Sequence, residues 1–328
     1  MRSAKKAPDT SVIPVPTSMT EPLLEVDDLS VAVTIDGRDY PVLEHVSFSV
    51  GKGKALGLVG ESGSGKSLTL RAIMGLLPQN ARVSGGEIRF RGENILANGG
   101  KLMRRLRGVG IAMVFQEPAV ALNPIARVGK QISDGVAQHR HLSRKEARDY
   151  AIHMMELVGI PDPHKRVDDY PSQLSGGMRQ RVMIAASVAC EPALILCDEP
   201  TTALDVTVQA QILSLFAHLR DELNSGLLYV THDLAVAAQL CDDLAVLYAG
   251  KIVETGEIRE TLTRPKHAYT RALLLATPRI DGPVERLRSI PGTTPSLVDR
   301  PPGYSFSVRM AEVEAAATAA RSAESVTS

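Results

Sequence analysis

The stretch Gly60-Glu61-Ser62-Gly63-Ser64-Gly65-Lys66-Ser67 follows the pattern GxxxxGK[ST]. Each residue type has a task in that pattern. Glycines let the backbone close around a phosphate with N–H groups aimed at it, and a helix starting where the loop ends adds its positive terminus. Lys66 is placed to reach β- and γ-phosphates, and the Ser67 hydroxyl can ligate Mg²⁺. Gly60, Ser62, Gly63, Gly65, Lys66, Ser67 and Leu68 are therefore the candidate nucleotide contacts. A Gly-rich turn matches such a pattern by chance now and then, so context decides. The apolar run Leu56-Gly57-Leu58-Val59 predicts a strand before the loop. Leu70, Ile73 and Leu77 at helical spacing predict a helix over Lys66–Leu77 after it.

A second cluster is Asp198-Glu199, which closes the apolar run Ala193–Cys197. An Asp at a buried strand end can hold Mg²⁺, and a carboxylate beside it can polarise an attacking water. Alone, such a pair is more often a solvated turn. The same holds for His232 after the run Leu227–Val230, which alone reads as a capped histidine, and for Gln116 after Val109–Phe115, which alone reads as a loop amide. Their value lies in company: each follows a predicted strand, and open parallel sheets bind ligands along the carboxyl ends of their strands.

The elements that must position these groups alternate. Beyond the strands already named, Val208, Ile212, Leu215, Leu219 and Leu223 predict a helix. Ser143 and Glu146 form a capping box ahead of Ala147, Tyr150, Met154 and Leu157. Strand–helix alternation implies an α/β fold with a mostly parallel sheet covered on both faces. Residues 1–22 read as a flexible tail. Residues 23–278 read as a nucleotide-binding domain with a helical insertion at about 117–181. Residues 279–328 read as an irregular extension rich in proline, with Ala311–Ser328 a weak helix or disordered. No internal repeat stands out.

Composition narrows the classes further. Of 328 residues, 44% are apolar and 23% charged, which is ordinary for a folded soluble domain. Lys+Arg and Asp+Glu are both 37, so there is no basic excess of the kind that binding along nucleic acid requires. Cys190, Cys197 and Cys241 form no CxxC pair, and no apolar h-region follows Arg2, Lys5 and Lys6. Both features fit a reducing cytoplasm. No uncharged apolar run approaches the 18 or so residues of a membrane span.

The run Leu174-Ser175-Gly176-Gly177-Met178-Arg179-Gln180-Arg181 resembles the signature of ABC transporter ATPases. The chain order is phosphate loop, Gln116, signature, Asp198-Glu199, Ala203-Leu204-Asp205 and His232, which is the order of that family. The resemblance implies a P-loop NTPase (RecA-like) core with an inserted helical subdomain, ATP and Mg²⁺ as ligands, and a head-to-tail pair of cassettes. Each ATP would lie between Lys66 of one cassette and Ser175, Gly176 and Gly177 of the other. Glu199 would position or deprotonate water, His232 would contact the γ-phosphate, and Gln116 would link Mg²⁺ to the membrane-facing surface. Ser67, Gln116 and Asp198 would be the metal's ligands, and Asp205 a further nucleotide-site residue.

Finer features resemble the oligopeptide, dipeptide and nickel importers. These are Met178 in place of a glutamine, Gln116-Glu117-Pro118 with Leu122-Asn123-Pro124, and Pro265-Lys266-His267-Ala268-Tyr269-Thr270. The resemblance implies peptide import, two membrane-spanning permease subunits, an extracytoplasmic solute-binding protein and a peripheral location on the cytoplasmic face of the membrane. The second cassette would be a paralogue rather than an identical copy. The competing class is a soluble ABC ATPase working on DNA or ribosomes. No heptad run separates Lys66 from Ser175, only one cassette is present, and the charge is balanced, all of which disfavour it.

Two positions depart from the family. Tails of this kind carry cysteines that bind an iron–sulfur cluster, whereas here Tyr304 and Met310 stand in their places and no cysteine follows Cys241. No cluster is expected. For the aromatic ring that stacks on adenine, Val33 fits one alignment and Tyr40 another, and Tyr40 also reads as a hairpin-face residue.

Overall fold

The computed structural model describes residues 22–202, 204–277, 289–301 and 303–315. The expected N-terminal tail, but for Pro22, and the expected boundary at 278 lie outside the described residues, as does 316–328. In chain order the strands are β1 (Leu24–Ile35), β2 (Arg38–Val50), β3 (Ala55–Val59), β4 (Ala81–Phe90), β5 (Glu93–Asn94), β6 (Ile111–Val114), β7 (Leu194–Asp198), β8 (Gly226–Thr231), β9 (Asp243–Tyr248) and β10 (Lys251–Glu257). The helices are α1 (Lys66–Ile73), α2 (Ala97–Leu106), α3 (Pro118–Ala121), α4 (Val128–Arg140), α5 (Arg144–Leu157), α6 (Pro163–Arg166), α7 (Gly176–Val188), α8 (Val206–Leu223), α9 (Leu234–Leu240), α10 (Ile258–Thr263) and α11 (Ala268–Ala276). A last helix, α12, runs over 306–315.

The central sheet has the order β10-β9-β3-β8-β7-β6. Strands β9, β3, β8, β7 and β6 are parallel, and β10 closes one edge antiparallel to β9. Strands β3, β6, β7 and β8 are buried along their whole length, which is why they read as unbroken apolar runs rather than as alternating ones. Alternate residues still serve different faces. Leu56, Leu58, Leu194, Leu196, Leu228 and Val230 pack on one side with α1, while Ala55, Val59, Ile195, Cys197, Leu227 and Tyr229 pack on the other with α7, α8 and α9.

The sheet is thus covered on both faces, with one difference from expectation. On the α1 side much of the cover is a second, antiparallel sheet of order β2-β1-β4-β5, which contributes Leu24, Val26, Phe48, Ile88 and Phe90 to the shared core. Two-residue turns with both φ angles positive join β1 to β2 (Asp36-Gly37), β4 to β5 (Arg91-Gly92) and β9 to β10 (Ala249-Gly250). Their twist matches that of the strands they connect.

Between β6 and β7 the chain is helical. The capping box forms as expected: the Glu146 N–H donates to Ser143 Oγ, and the Ser143 N–H donates to Glu146 Oε2. Helix α1 ends at Ile73, earlier than expected, because Gly75 turns the chain with φ +59°.

Candidate functional site

Strand β3 delivers the phosphate loop at its carboxyl end, where the loop is wedged against the core. A Cβ on Gly60 would lie 2.1 Å from the Leu247 carbonyl oxygen, and one on Gly65 would lie 2.5 Å from Leu43, at φ +109°. Only glycine fits at either position. Gly65 is the N-cap of α1 and supplies no side chain, so the first N–H groups of that helix are left for an anion. Lys66, only 4% exposed, folds back and donates from Nζ to the carbonyls of Gly60 (2.8 Å) and Glu61 (2.9 Å). Burial lowers its pKa, an effect opposed by Glu199. Ser62 and Gly63 face solvent, and Leu68 is half-buried in α1.

Strand β8 lies next to β3 and β7 next to β8, and the two bring the other groups to the same edge. Ser67 Oγ donates to Asp198 Oδ1 at 2.7 Å. Burial raises the pKa of Asp198, and the Ser67 hydrogen bond opposes that shift. This pair of oxygens, one on the phosphate loop and one on a buried carboxylate, is the donor chemistry Mg²⁺ takes, so the residues fit that ion. Glu199 adopts φ +45°. Its Oε2 meets His232 Nδ1 at 3.0 Å and accepts from Thr202 Oγ1 at 3.0 Å, while its Oε1 lies 3.6 Å from Lys66 Nζ. Lys66, Ser67, Asp198, Glu199 and His232 thus form one continuous polar chain.

The remaining expected residues lie apart. Gln116 is exposed after β6 and makes no hydrogen bond to Ser67 or Asp198. Ser175 caps α7 by accepting from the Met178 N–H at 3.3 Å; Ser175 and Gly176 are exposed and Gly177 partly so. Asp205 caps α8 through the Val208 N–H, and a Cβ on Gly177 would touch Val208 at 3.4 Å, so the starts of α7 and α8 adjoin. Val33 and Tyr40 sit directly opposite each other across the β1–β2 hairpin, so the two alternatives for the adenine platform share one face. Two residues escaped sequence reading. Thr202 fixes the Glu199 carboxylate, and the buried Gln180 donates from Nε2 to the Pro200 carbonyl at 2.6 Å, tying α7 to the Asp198-Glu199 turn.

The family model described as ABC transporter matches residues 43–202, and the one described as oligopeptide/dipeptide transporter, C-terminal region, matches residues 253–315. The dipeptide transport ATP-binding protein DppD of Bacillus subtilis is 45% identical over 290 residues, covering 88% of this chain and 87% of that one. This chain belongs to the oligopeptide/dipeptide family of ABC transporter ATP-binding proteins. The oligopeptide transport ATP-binding protein OppD of Bacillus subtilis is similar at 45% over 289 residues, covering 88% of this ABC ATPase and 81% of its own chain. Among solved structures, cbiO1 from Clostridium perfringens superposes with a TM-score of 0.64 at 26% identity, over 75% of this cassette and 92% of its own chain. The ATP-binding cassette MJ0796, described as dimeric and bound to ADP and Pi, superposes with a TM-score of 0.64 at 25% identity, over 72% and 99% of the two chains. This cassette is therefore an ABC-type ATPase that drives transport. Among its described residues no helix is long and apolar enough to cross a membrane.

Proposed function

We propose that this ATPase powers import of peptides through separate membrane subunits, with each ATP clamped between two cassettes. The observation that carries the reading is the polar chain from Lys66 through Glu199 to His232 at one edge of the parallel strands, with the signature residues held away from it. Lys66 and the N–H groups of α1 would hold the β- and γ-phosphates, together with Gly60, Ser62, Gly63, Gly65 and Leu68. Mg²⁺, held by Ser67 and Asp198 and by Gln116 once it moves in from its exposed place after β6, would neutralise charge developing on the phosphates. Glu199 accepts the proton of the attacking water, and His232, already hydrogen-bonded to Glu199, swings its ring onto the γ-phosphate. Ser175, Gly176 and Gly177 are exposed on this chain, which suits a phosphate site completed by the opposing cassette, with Asp205 lining the seam.

The relatives' names support the peptide as cargo, and the dimeric neighbour supports the paired arrangement. A paralogous second cassette, two permease subunits and an extracytoplasmic solute-binding protein complete the assembly, and the chain sits on the cytoplasmic face. Tyr304 and Met310 lie in the extension and no cysteine follows Cys241, so iron analysis of the purified chain is expected to find no cluster. The test is uptake of labelled peptides into proteoliposomes holding the assembled transporter. Peptide accumulates only with ATP inside the compartment bearing this subunit, and Lys66→Ala abolishes it. ATP-driven uptake that ignores peptides and follows another solute overturns the assignment of cargo.

A further inference from the structure

We propose that Arg309 is a positioning residue for the nucleotide site. Acting through Glu61, it fixes the phosphate loop, so that docking of the C-terminal extension and nucleotide binding stabilise each other. The inference rests on the phosphate-loop reading above and adds a part of the chain which that reading does not use.

Glu61 is the second residue of the loop, and every polar group it has is engaged. Its N–H donates to Tyr269 Oη at 2.9 Å. Its carbonyl accepts from Lys66 Nζ and from the Ser64 N–H. Its carboxylate takes both oxygens to Arg309 Nη1, at 3.1 and 2.9 Å, and a third bond from Thr294 Oγ1 at 3.2 Å. One residue therefore joins the lysine that would hold phosphate to partners more than 200 positions away in the chain.

Arg309 is only 3% exposed. Its other donors close the extension on itself, Nε to the Pro291 carbonyl at 2.9 Å and Nη2 to the Gly292 carbonyl at 2.8 Å. A planar fork makes all these bonds at once, which a lysine ammonium cannot do. Aromatic packing seats the fork, with Tyr304 stacked on Tyr248 and Phe306 against both Tyr248 and Tyr269. A second anchor lies alongside. Arg300 Nη1 donates to the Ala249 carbonyl, and in the same turn the Gly250 N–H donates to the Ser64 carbonyl of the loop.

The seam between loop and extension combines these polar contacts with the aromatic cluster. Ser64 Oγ, Thr270 Oγ1 and Arg300 Nε are buried there without a partner among the described residues. The Glu61 side chain is 26% exposed, so removing Arg309 leaves its carboxylate with Thr294 Oγ1 as its remaining side-chain donor and free to turn towards solvent. Whatever holds the loop in one arrangement favours the other ligand of that arrangement by the same factor.

The test uses the full-length chain for binding of a fluorescent ATP analogue and for hydrogen exchange, and the assembled transporter for steady-state hydrolysis. In the unaltered chain, ATP–Mg²⁺ slows exchange in residues 289–301. Arg309→Ala keeps its far-ultraviolet circular dichroism, weakens nucleotide binding about fivefold or more, raises KM for ATP with kcat nearly unchanged, and loses that protection. Arg309→Lys recovers only part of the affinity. Thr294→Val, which removes one bond to Glu61 and leaves Arg309 in place, gives a smaller loss in the same direction and covers the case of an Arg309→Ala chain that does not fold. Wild-type affinity in Arg309→Ala or in Thr294→Val, or an extension whose exchange ignores nucleotide, overturns the proposal. An unaltered chain that binds no nucleotide overturns the phosphate-loop reading beneath it as well.

Discussion

In a Glu199→Gln chain the side chain keeps its length and shape, so the acceptor that meets Thr202 Oγ1 and His232 Nδ1 survives as the amide oxygen. Lys66 retains the Gly60 and Glu61 carbonyls and loses only the carboxylate 3.6 Å away. Fold and nucleotide binding therefore persist. What disappears is the group proposed to take the water's proton. A positioned general base contributes about 10²–10⁴ in rate, or about 3–5 kcal/mol of barrier. The assay is release of inorganic phosphate at saturating ATP–Mg²⁺, paired with binding of a fluorescent nucleotide to show that the site is filled. Turnover falls by at least about a hundredfold with affinity equal to or tighter than that of the unaltered chain. Turnover within a few-fold of the unaltered chain, with the site filled, would refute the assignment of Glu199 as the base. Affinity lost along with turnover would refute the claim that its contacts with Lys66 are dispensable for binding.

Two further outcomes follow from packing and protonation. Gly60→Ala drives a Cβ into the Leu247 carbonyl and lowers stability by about 1–3 kcal/mol in urea unfolding. Gly176→Ala meets nothing within 4 Å and leaves stability within about 0.5 kcal/mol. Equal midpoints for the two variants would contradict the wedged loop. Burial pushes the Tyr150 phenol from 10.0 up to about 12 and raises those of Tyr229, Tyr269 and Tyr304 as well. The folded chain thus keeps protons that the unfolded chain releases. Stability present below pH 10.0 is lost as pH rises through 10.0 towards about 12. Absorbance titration near the phenolate band shows these phenols ionising at higher pH in the folded chain than in denaturant, and coincident titrations would contradict it.

The site was legible where chemistry is local. The phosphate loop states its own geometry, and β3, β7 and β8 announce themselves because strands buried on both faces are apolar throughout. The antiparallel sheet was not read, because β1 and β4 mix Glu25, Asp27, Asp28 and Glu87, Arg89 into their apolar positions. Their pairing of Leu24 with Phe90 also spans most of a hundred residues that carry no record of it. A signal did exist: Asp36-Gly37 is the dipeptide a two-residue hairpin demands. Gln180 stood in the sequence as one residue of the signature run, and only folding brings it to the Pro200 carbonyl. Glu61 occupied an unrestricted position of the loop pattern, and only folding brings Thr294 and Arg309 to it.

The central claim is that this chain's nucleotide site is completed from outside the chain. Its most direct test is the structure of the Glu199→Gln subunit in the assembled transporter with ATP–Mg²⁺. The account predicts a γ-phosphate bonded to Lys66 on one side and to the signature serine of the opposing cassette on the other, with Ser175 of this chain in the equivalent place on the second nucleotide. A closed assembly whose nucleotide touches no signature serine across the seam contradicts it.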